Sequence, residues 1–180
     1  EIPKDYEHAI RLAAENKCDR WQQCTDLELV QLDEYATFDD RGRGATIPEG
    51  YRKIRVHLVY AVKHDGRHKA RMVADGHQTE VPLESVYSGV VSLRGLRIVT
   101  FIAELNGLSL WSTDVGNAYL ESTTDEKVCF IAGPEFGKLY GHLLVIKKAL
   151  YGLRSSGKQW HDRLFDTLMD MGFQPSKAEP

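Results

Sequence analysis

No apolar run in the 180 residues approaches the roughly 18 consecutive positions that a membrane-spanning helix needs. The start, Glu1-Ile2-Pro3-Lys4, lacks the basic and apolar regions of a signal peptide, and the missing initiator Met suggests a piece of something longer. Cysteine is scarce. Cys18, Cys24 and Cys129 are an odd set without the tight pairing of a zinc site, which points to a reducing compartment and to small buried hydrophobes. Internal repeats and low-complexity tracts are also missing. What remains is ordinary globular composition, 42% hydrophobic and 27% charged, which excludes disordered, collagenous and coiled-coil chains and predicts a soluble folded protein. A chain of this length buries roughly 70% of its unfolded surface, enough for a core without disulfide or metal staples.

The net charge of −3 argues weakly against a nucleic-acid partner, but its distribution argues the other way. Residues 1–50 hold 6 basic and 12 acidic side chains, a balance of −6. Residues 52–71 hold Arg52, Lys53, Arg55, Lys63, Arg67, Lys69 and Arg71 against Asp65 alone, a balance of +6. A second stretch, Phe136 to His161, carries Lys138, Lys147, Lys148, Arg154 and Lys158 with no acid. Local basic surface of this kind is where phosphates dock, although a solvated hairpin and loop would look the same.

The spacing of apolar residues predicts helix, turn, helix and loop over the first fifty positions, with Thr25-Asp26-Leu27-Glu28 in the form of a capping box. Asp39-Asp40-Arg41-Gly42-Arg43-Gly44 has nothing to bury and reads as a linker. Ile54, Val56, Leu58, Tyr60 and Val62 then alternate, Lys63-His64-Asp65-Gly66 intervenes, and Ala70, Met72 and Ala74 alternate again, the pattern of a β-hairpin with an Asp-Gly turn. Leu93, Leu96, Val99, Ile102 and Leu105 mark one face of a helix that Gly107 closes. Leu108, Leu110 and Ser112 suggest a short strand leading into Asp114. Val128 to Ala132 and Leu143 to Lys147 predict two more strands flanking the loop at 133–137, and a last helix runs from about Lys158 to Met171.

Asp114 is the most informative single residue. A carboxylate at the exit of a strand can be held rigidly and aimed at a divalent cation, and the backbone of the following turn can point at phosphates. A plain turn with an Asp cap fits the same spacing. His64 and His68 flank a turn rather than share a helix face, so a polar turn is the simpler reading than zinc. His142 and His161 read as surface residues, and Trp111, Trp160, Phe165 and Phe173 read as core. Ser85, Ser88 and Ser92 lack a Gly-x-Ser-x-Gly context, which gives a hydrolase little support.

Four motifs stand in register over more than a hundred residues: Lys69-Ala70-Arg71-Met72-Val73-Ala74, Asp114-Val115-Gly116-Asn117-Ala118-Tyr119-Leu120, Leu150-Tyr151-Gly152-Leu153-Arg154, and the Trp160 helix closing at Gly172-Phe173. In order and spacing they resemble the reverse transcriptases of copia-type LTR retrotransposons, from about Tyr51 to Pro180. The resemblance implies an α+β fold, the fingers and partial palm of a right-hand polymerase with antiparallel sheet and packed helices. On that reading 1–50 is an acidic helical segment and linker, 51–107 the fingers with the hairpin, 108–120 the first palm strand with the catalytic Asp motif, 121–157 a connection, and 158–180 a palm helix. The implied activity is RNA-directed DNA polymerisation with dNTPs on an RNA or DNA template-primer by two-metal nucleotidyl transfer.

Residue by residue, the resemblance makes Asp114 the catalytic carboxylate and, with the Val115 carbonyl, a ligand of two Mg2+ ions. Gly116, Asn117 and Ala118 would offer backbone to the incoming nucleotide, and Tyr119 would be the gate against a ribose 2′-hydroxyl. Lys69 and Arg71 would clamp the triphosphate, while Lys63, Gly152, Arg154 and Lys158 are weaker template-primer candidates. Implied partners are the template-primer, dNTPs and the remainder of a Pol polyprotein, with no membrane, in an intracellular setting of cytoplasmic virus-like particles or the nucleus. The sequence also departs from the family. Ser155-Ser156-Gly157 follows Arg154 where the family has Lys-Gln-Ser-Pro, and Asp75-Gly76 follows the hairpin where it has Arg-Gly. The second carboxylate pair, an Asp-Asp dipeptide, falls beyond the equivalent of Gly172-Phe173, and Asp39-Asp40 is no substitute for it. The 180 residues alone are therefore expected to be inactive, and the alternative reading is a catalytically dead remnant that at most binds nucleic acid.

Overall fold

The computed structural model describes residues 1–79, 86 and 88–176; Ser85 lies outside the described residues. Two helices open the chain, α1 (Tyr6–Asn16) and α2 (Arg20–Glu34). Strands β1 (Phe38–Arg43), β2 (Arg52–Lys53), β3 (Val56–Val62) and β4 (His68–Ala74) follow, then α3 (Leu93–Leu105), β5 (Val128–Ile131), β6 (His142–Ile146) and α4 (Ser156–Asp170). Strands β3 and β4 form the expected hairpin, with Val56 opposite Ala74 and Val62 opposite His68. Gly66 closes its turn at φ +80°, a conformation that costs a side-chain-bearing residue strain. The other strands make a sheet in the order β1-β6-β5-β2, antiparallel except where β2 runs parallel to β5.

The structure corrects two readings of the first fifty residues. The supposed capping box lies in mid-helix, because α2 already begins at Arg20. Thr25 Oγ1 donates to the Trp21 carbonyl at 2.8 Å and sits 3.0 Å from the Tyr60 hydroxyl, while the Glu28 carboxylate accepts the Met72 backbone N–H at 2.8 Å. Partners on the hairpin have claimed both side chains that a cap would use. The supposed linker is strand β1, paired with β6 and carrying a register shift between Asp40 and Arg43. Its hydrogen bonds are made by backbone, so a charged, glycine-rich sequence forms it without any apolar alternation.

One continuous core joins these pieces. Trp21 and Leu32 from the helices, Leu58, Tyr60 and Met72 from the hairpin, and Phe130, Leu144 and Leu150 from the sheet side are all buried in it. Trp21 packs edge-on to Tyr60 at 5.6 Å and to the His68 ring at 4.2 Å, which gives His68 a packing role in the α2–hairpin contact. Of the three cysteines read as buried, only Cys129 is; Cys18 and Cys24 are half-buried, and partial burial pushes the Cys24 thiol up to about 11.

The second half departs further from expectation. The strand expected over 108–112 does not form: Leu108 and Leu110 are exposed and Trp111 is 91% exposed. Phe165 and Phe173 are exposed as well and Trp160 only half-buried, so of the aromatic set read as core none is buried. Helix α3 has the expected length and the expected left-handed Gly107, with Ser92 capping it through the Gly95 N–H at 3.0 Å. Its apolar face, Leu93, Leu96, Val99, Ile102 and Leu105, nevertheless points outward, and only Gly95 and Ala103 are buried. A strand needs a neighbour and an apolar stripe needs a second layer, and among the described residues neither is present on that side.

Candidate active site

The Asp114 turn is anchored from behind. Asn117 takes a left-handed conformation, and the 3-10 turn Ala118–Glu121 that follows buries Leu120 in the core. Ser122 holds the end of this turn, donating its hydroxyl to the Gln159 carbonyl at 3.2 Å and accepting the Ala149 N–H on its own carbonyl at 2.9 Å. The Tyr35 hydroxyl donates to Glu121 at 3.0 Å. Asp114, Val115 and Gly116 themselves are exposed, ahead of the anchored turn.

Tyr119 is the residue through which this turn meets the hairpin. Its ring lies 4.8 Å from that of Tyr151, at an interplanar angle of 50°. The Arg71 guanidinium also meets Tyr151, standing 5.2 Å from its ring centre, a cation over an aromatic face. Arg71, Tyr151 and Tyr119 therefore form one stack running from β4 to the Asp114 turn. Backbone fixes Tyr151 in the middle of it, since the Ala74 N–H donates to the Tyr151 carbonyl at 2.7 Å.

Close backbone contact holds the stack in register. Gly152 has φ +90°, and a Cβ there would collide with the Ala74 carbonyl oxygen. A Cβ on Gly76 would collide with the Gly152 carbonyl oxygen and lie 2.9 Å from the Leu153 Cα. Only glycine at both positions lets the two segments cross this tightly. The Arg154 Nε donates to the Gly76 carbonyl at 3.0 Å, so its guanidinium pins the same crossing. The two family departures lie beside it. Asp75 accepts from Arg55 at 3.2 Å and sits 3.1 Å from His57 Nδ1, while the Ser155 hydroxyl and N–H donate to Glu126 at 2.7 and 2.9 Å. The Ser156 hydroxyl donates to the Leu150 carbonyl at 2.7 Å and is buried.

The remaining candidates are spread around this centre. Lys69, two residues from Arg71, lines a cavity of about 250 Å³ together with Lys63, His68 and Glu28. Burial, and then the neighbouring Arg71 and Lys63, hold its ammonium below the ordinary lysine pKa, an environment that favours an added anion. Arg67, on the same cavity, is already paired to Asp65 at 2.7 Å. Lys158 pairs with Asp162 on the surface of α4. Among the described residues no group of three or more His, Cys, Asp or Glu could hold a metal ion. Asp114 and the Val115 carbonyl offer two oxygens, whereas Mg2+ takes a near-octahedral shell of about six. The described residues alone therefore do not fit a pair of Mg2+ ions.

Sequence reasoning missed the role of Tyr151 and the Gly76–Gly152 crossing. Leu150-Tyr151-Gly152 was visible as a motif, but its ring has meaning only once β4 is seen beside it.

A family model described as reverse transcriptase (RNA-dependent DNA polymerase) matches residues 43–180. The retrovirus-related Pol polyprotein from transposon TNT 1-94 of Nicotiana tabacum is 29% identical over 133 residues, covering 68% of this chain and 10% of its own length. The Pol polyprotein from transposon RE1 of Arabidopsis thaliana is 30% identical over 117 residues, covering 63% of this chain and 8% of its own length. The chain thus spans no more than 10% of the length of these relatives. No solved structure matches. With four motifs in register and the family match running over the whole hairpin-to-α4 region, the chain belongs to the reverse transcriptases of the copia-type LTR retrotransposons.

Proposed function

We propose that this chain supplies the fingers and the first part of the palm to an RNA-directed DNA polymerase, acting on a template-primer with dNTPs within a longer Pol polyprotein. The observation that carries this reading is the Arg71–Tyr151–Tyr119 stack, which ties the basic hairpin to the turn bearing Asp114. On the right-hand arrangement implied by the family, β3 and β4 are fingers and Asp114 is a palm carboxylate. Magnesium would serve the chemistry of such a polymerase; Asp114 and the Val115 carbonyl would be among its ligands, and further carboxylates would be needed to complete the shell.

Each residue of the stack has a physical task on this reading. Arg71 carries a permanent charge whose guanidinium is already placed over Tyr151, so it loses little freedom when it meets a triphosphate. Lys69 adds a second cation in a partly dry setting where an anion is welcome. Tyr119 must be rigid to act as a gate; its ring packs against Tyr151, and its hydroxyl lies beside Gly157, where an added Cβ would sit 4.0 Å away. A fixed ring under the sugar collides with a 2′-hydroxyl and leaves deoxyribose room.

Primer extension by the complete Pol polyprotein tests this reading. Tyr119→Ala raises rNTP use relative to dNTP use, measured as the ratio of kcat/KM values, and Asp114→Asn abolishes extension with either. An unchanged ratio overturns the gate, and full activity of Asp114→Asn overturns the polymerase assignment. The 180-residue chain by itself shows no extension.

A further inference from the structure

We propose that the cavity between α2, β1 and the 3-10 turn Pro134–Leu139 is a binding site for a small organic cation, an ammonium or guanidinium carried on an aromatic or branched apolar body. The cavity encloses about 330 Å³ and none of Arg71, Tyr119 and Tyr151 lines it. Phe38 and Phe136 form part of its apolar wall, their rings 5.8 Å apart and edge-on at 72°. Such rings bury an apolar body and attract a cation to their faces.

The polar part of the lining has one sign. Asp33, Asp40 and Glu135 contribute carboxylates, and no Lys, Arg or His lines the cavity. Asp40 is engaged by His142 at 3.0 Å and by the Gly42 N–H at 2.8 Å. Asp33 and Glu135 have no cation within ion-pair reach among the described residues. Burial holds the Glu135 carboxyl above the ordinary glutamate range, as befits a carboxylate lacking a counter-charge. Thr37, in the same wall, is fully buried and its Oγ1 has no hydrogen-bond partner. A buried hydroxyl without a partner, in a wall that also carries aromatic rings and carboxylates that no side-chain cation meets, is complementary to a donor-bearing cation with an apolar stem. An anion of the same shape meets repulsion, and a neutral molecule gains only the apolar wall.

The test is a chemical-shift titration of the 180-residue chain with phenethylammonium, with 3-phenylpropionate as the anionic match and 2-phenylethanol as the neutral one. The cation saturates shifts at Phe38, Phe136 and Leu139 and binds at least about tenfold more tightly than the anion. Glu135→Gln and Thr37→Val each shrink that preference severalfold, with melting curves establishing that the variants fold; Asp33→Asn replaces either one that does not. Equal binding of the three probes, shifts confined to other residues, or a preference that survives the variants overturns the site.

Discussion

The Arg71 guanidinium rests 5.2 Å above the centre of the Tyr151 ring, and that ring in turn meets Tyr119. Strand β4 is therefore linked to the Asp114 turn through the Tyr151 ring. Tyr151→Phe keeps the stack and should behave as the parent protein. Tyr151→Ala should cost about 1–3 kcal/mol in urea unfolding, and in the polyprotein should raise KM for dNTPs more than it lowers kcat. Equal effects of the two substitutions would mean that the hydroxyl, not the ring, matters.

Gly152→Ala should be among the most damaging single changes in the chain. It adds a positive-φ penalty to a collision with the Ala74 carbonyl, and backbone cannot step aside as a flexible side chain can. The expected loss exceeds about 3 kcal/mol. Gly66→Ala has a similar φ but open space around its added carbon, and should cost only about 1–2 kcal/mol. Denaturant midpoints for the pair separate strain from collision.

Glu28 should make stability depend on pH in an unusual sense. Burial raises its folded-state pKa above the ordinary value near about 4.3. The folded chain therefore holds this proton more tightly than the unfolded chain, so its stabilising contribution is present in acid and is lost as pH rises through the folded value. Glu28→Gln keeps an acceptor for the Met72 N–H, and should raise stability at neutral pH while removing that slope. Glu28→Ala leaves a buried N–H unpaired and should cost about 1–3 kcal/mol. Urea midpoints of the parent and both variants across this range, compared as differences, report the sign.

Nucleic-acid binding should follow the local charge map and not the net charge. Lys69→Ala combined with Arg71→Ala should weaken binding of an RNA–DNA hybrid and flatten its salt dependence, by about one unit of slope for each phosphate that is no longer neutralised. Lys4→Ala with Lys17→Ala, in the acidic segment, should do neither. Arg67→Ala should have the smaller effect among hairpin cations, because Asp65 already neutralises that guanidinium. Filter binding at several salt concentrations checks all three.

Periodicity revealed those elements whose side chains choose a face. The β3–β4 hairpin, α3 and α4 were legible because apolar residues repeat in them at strand or helix spacing. Strand β1 was not, since Asp39 to Arg43 bury little and owe their pairing to backbone contacts with β6 about a hundred residues away. Thr25 and Glu28 were misread for a related reason: their hydrogen-bond partners, Tyr60 and Met72, are distant in sequence. Within the candidate site, Arg71 and Tyr119 could be named from motifs, but the ring between them could not. A segment crossing that depends on two glycines leaves no signal in composition.

The outward apolar face of α3 bears on how the protein can be handled. Side chains such as Phe101 at 67% and Leu105 at 71% exposure form a patch that prefers its own kind to water. Salting-out ions strengthen that preference, while ionic strength that screens the hairpin cations should weaken the proposed binding of phosphate. Both pressures favour the same conditions. Dilute, low-salt solutions should keep the chain dispersed and its basic surface active, and concentrated salt should deprive it of nucleic acid and precipitate it together.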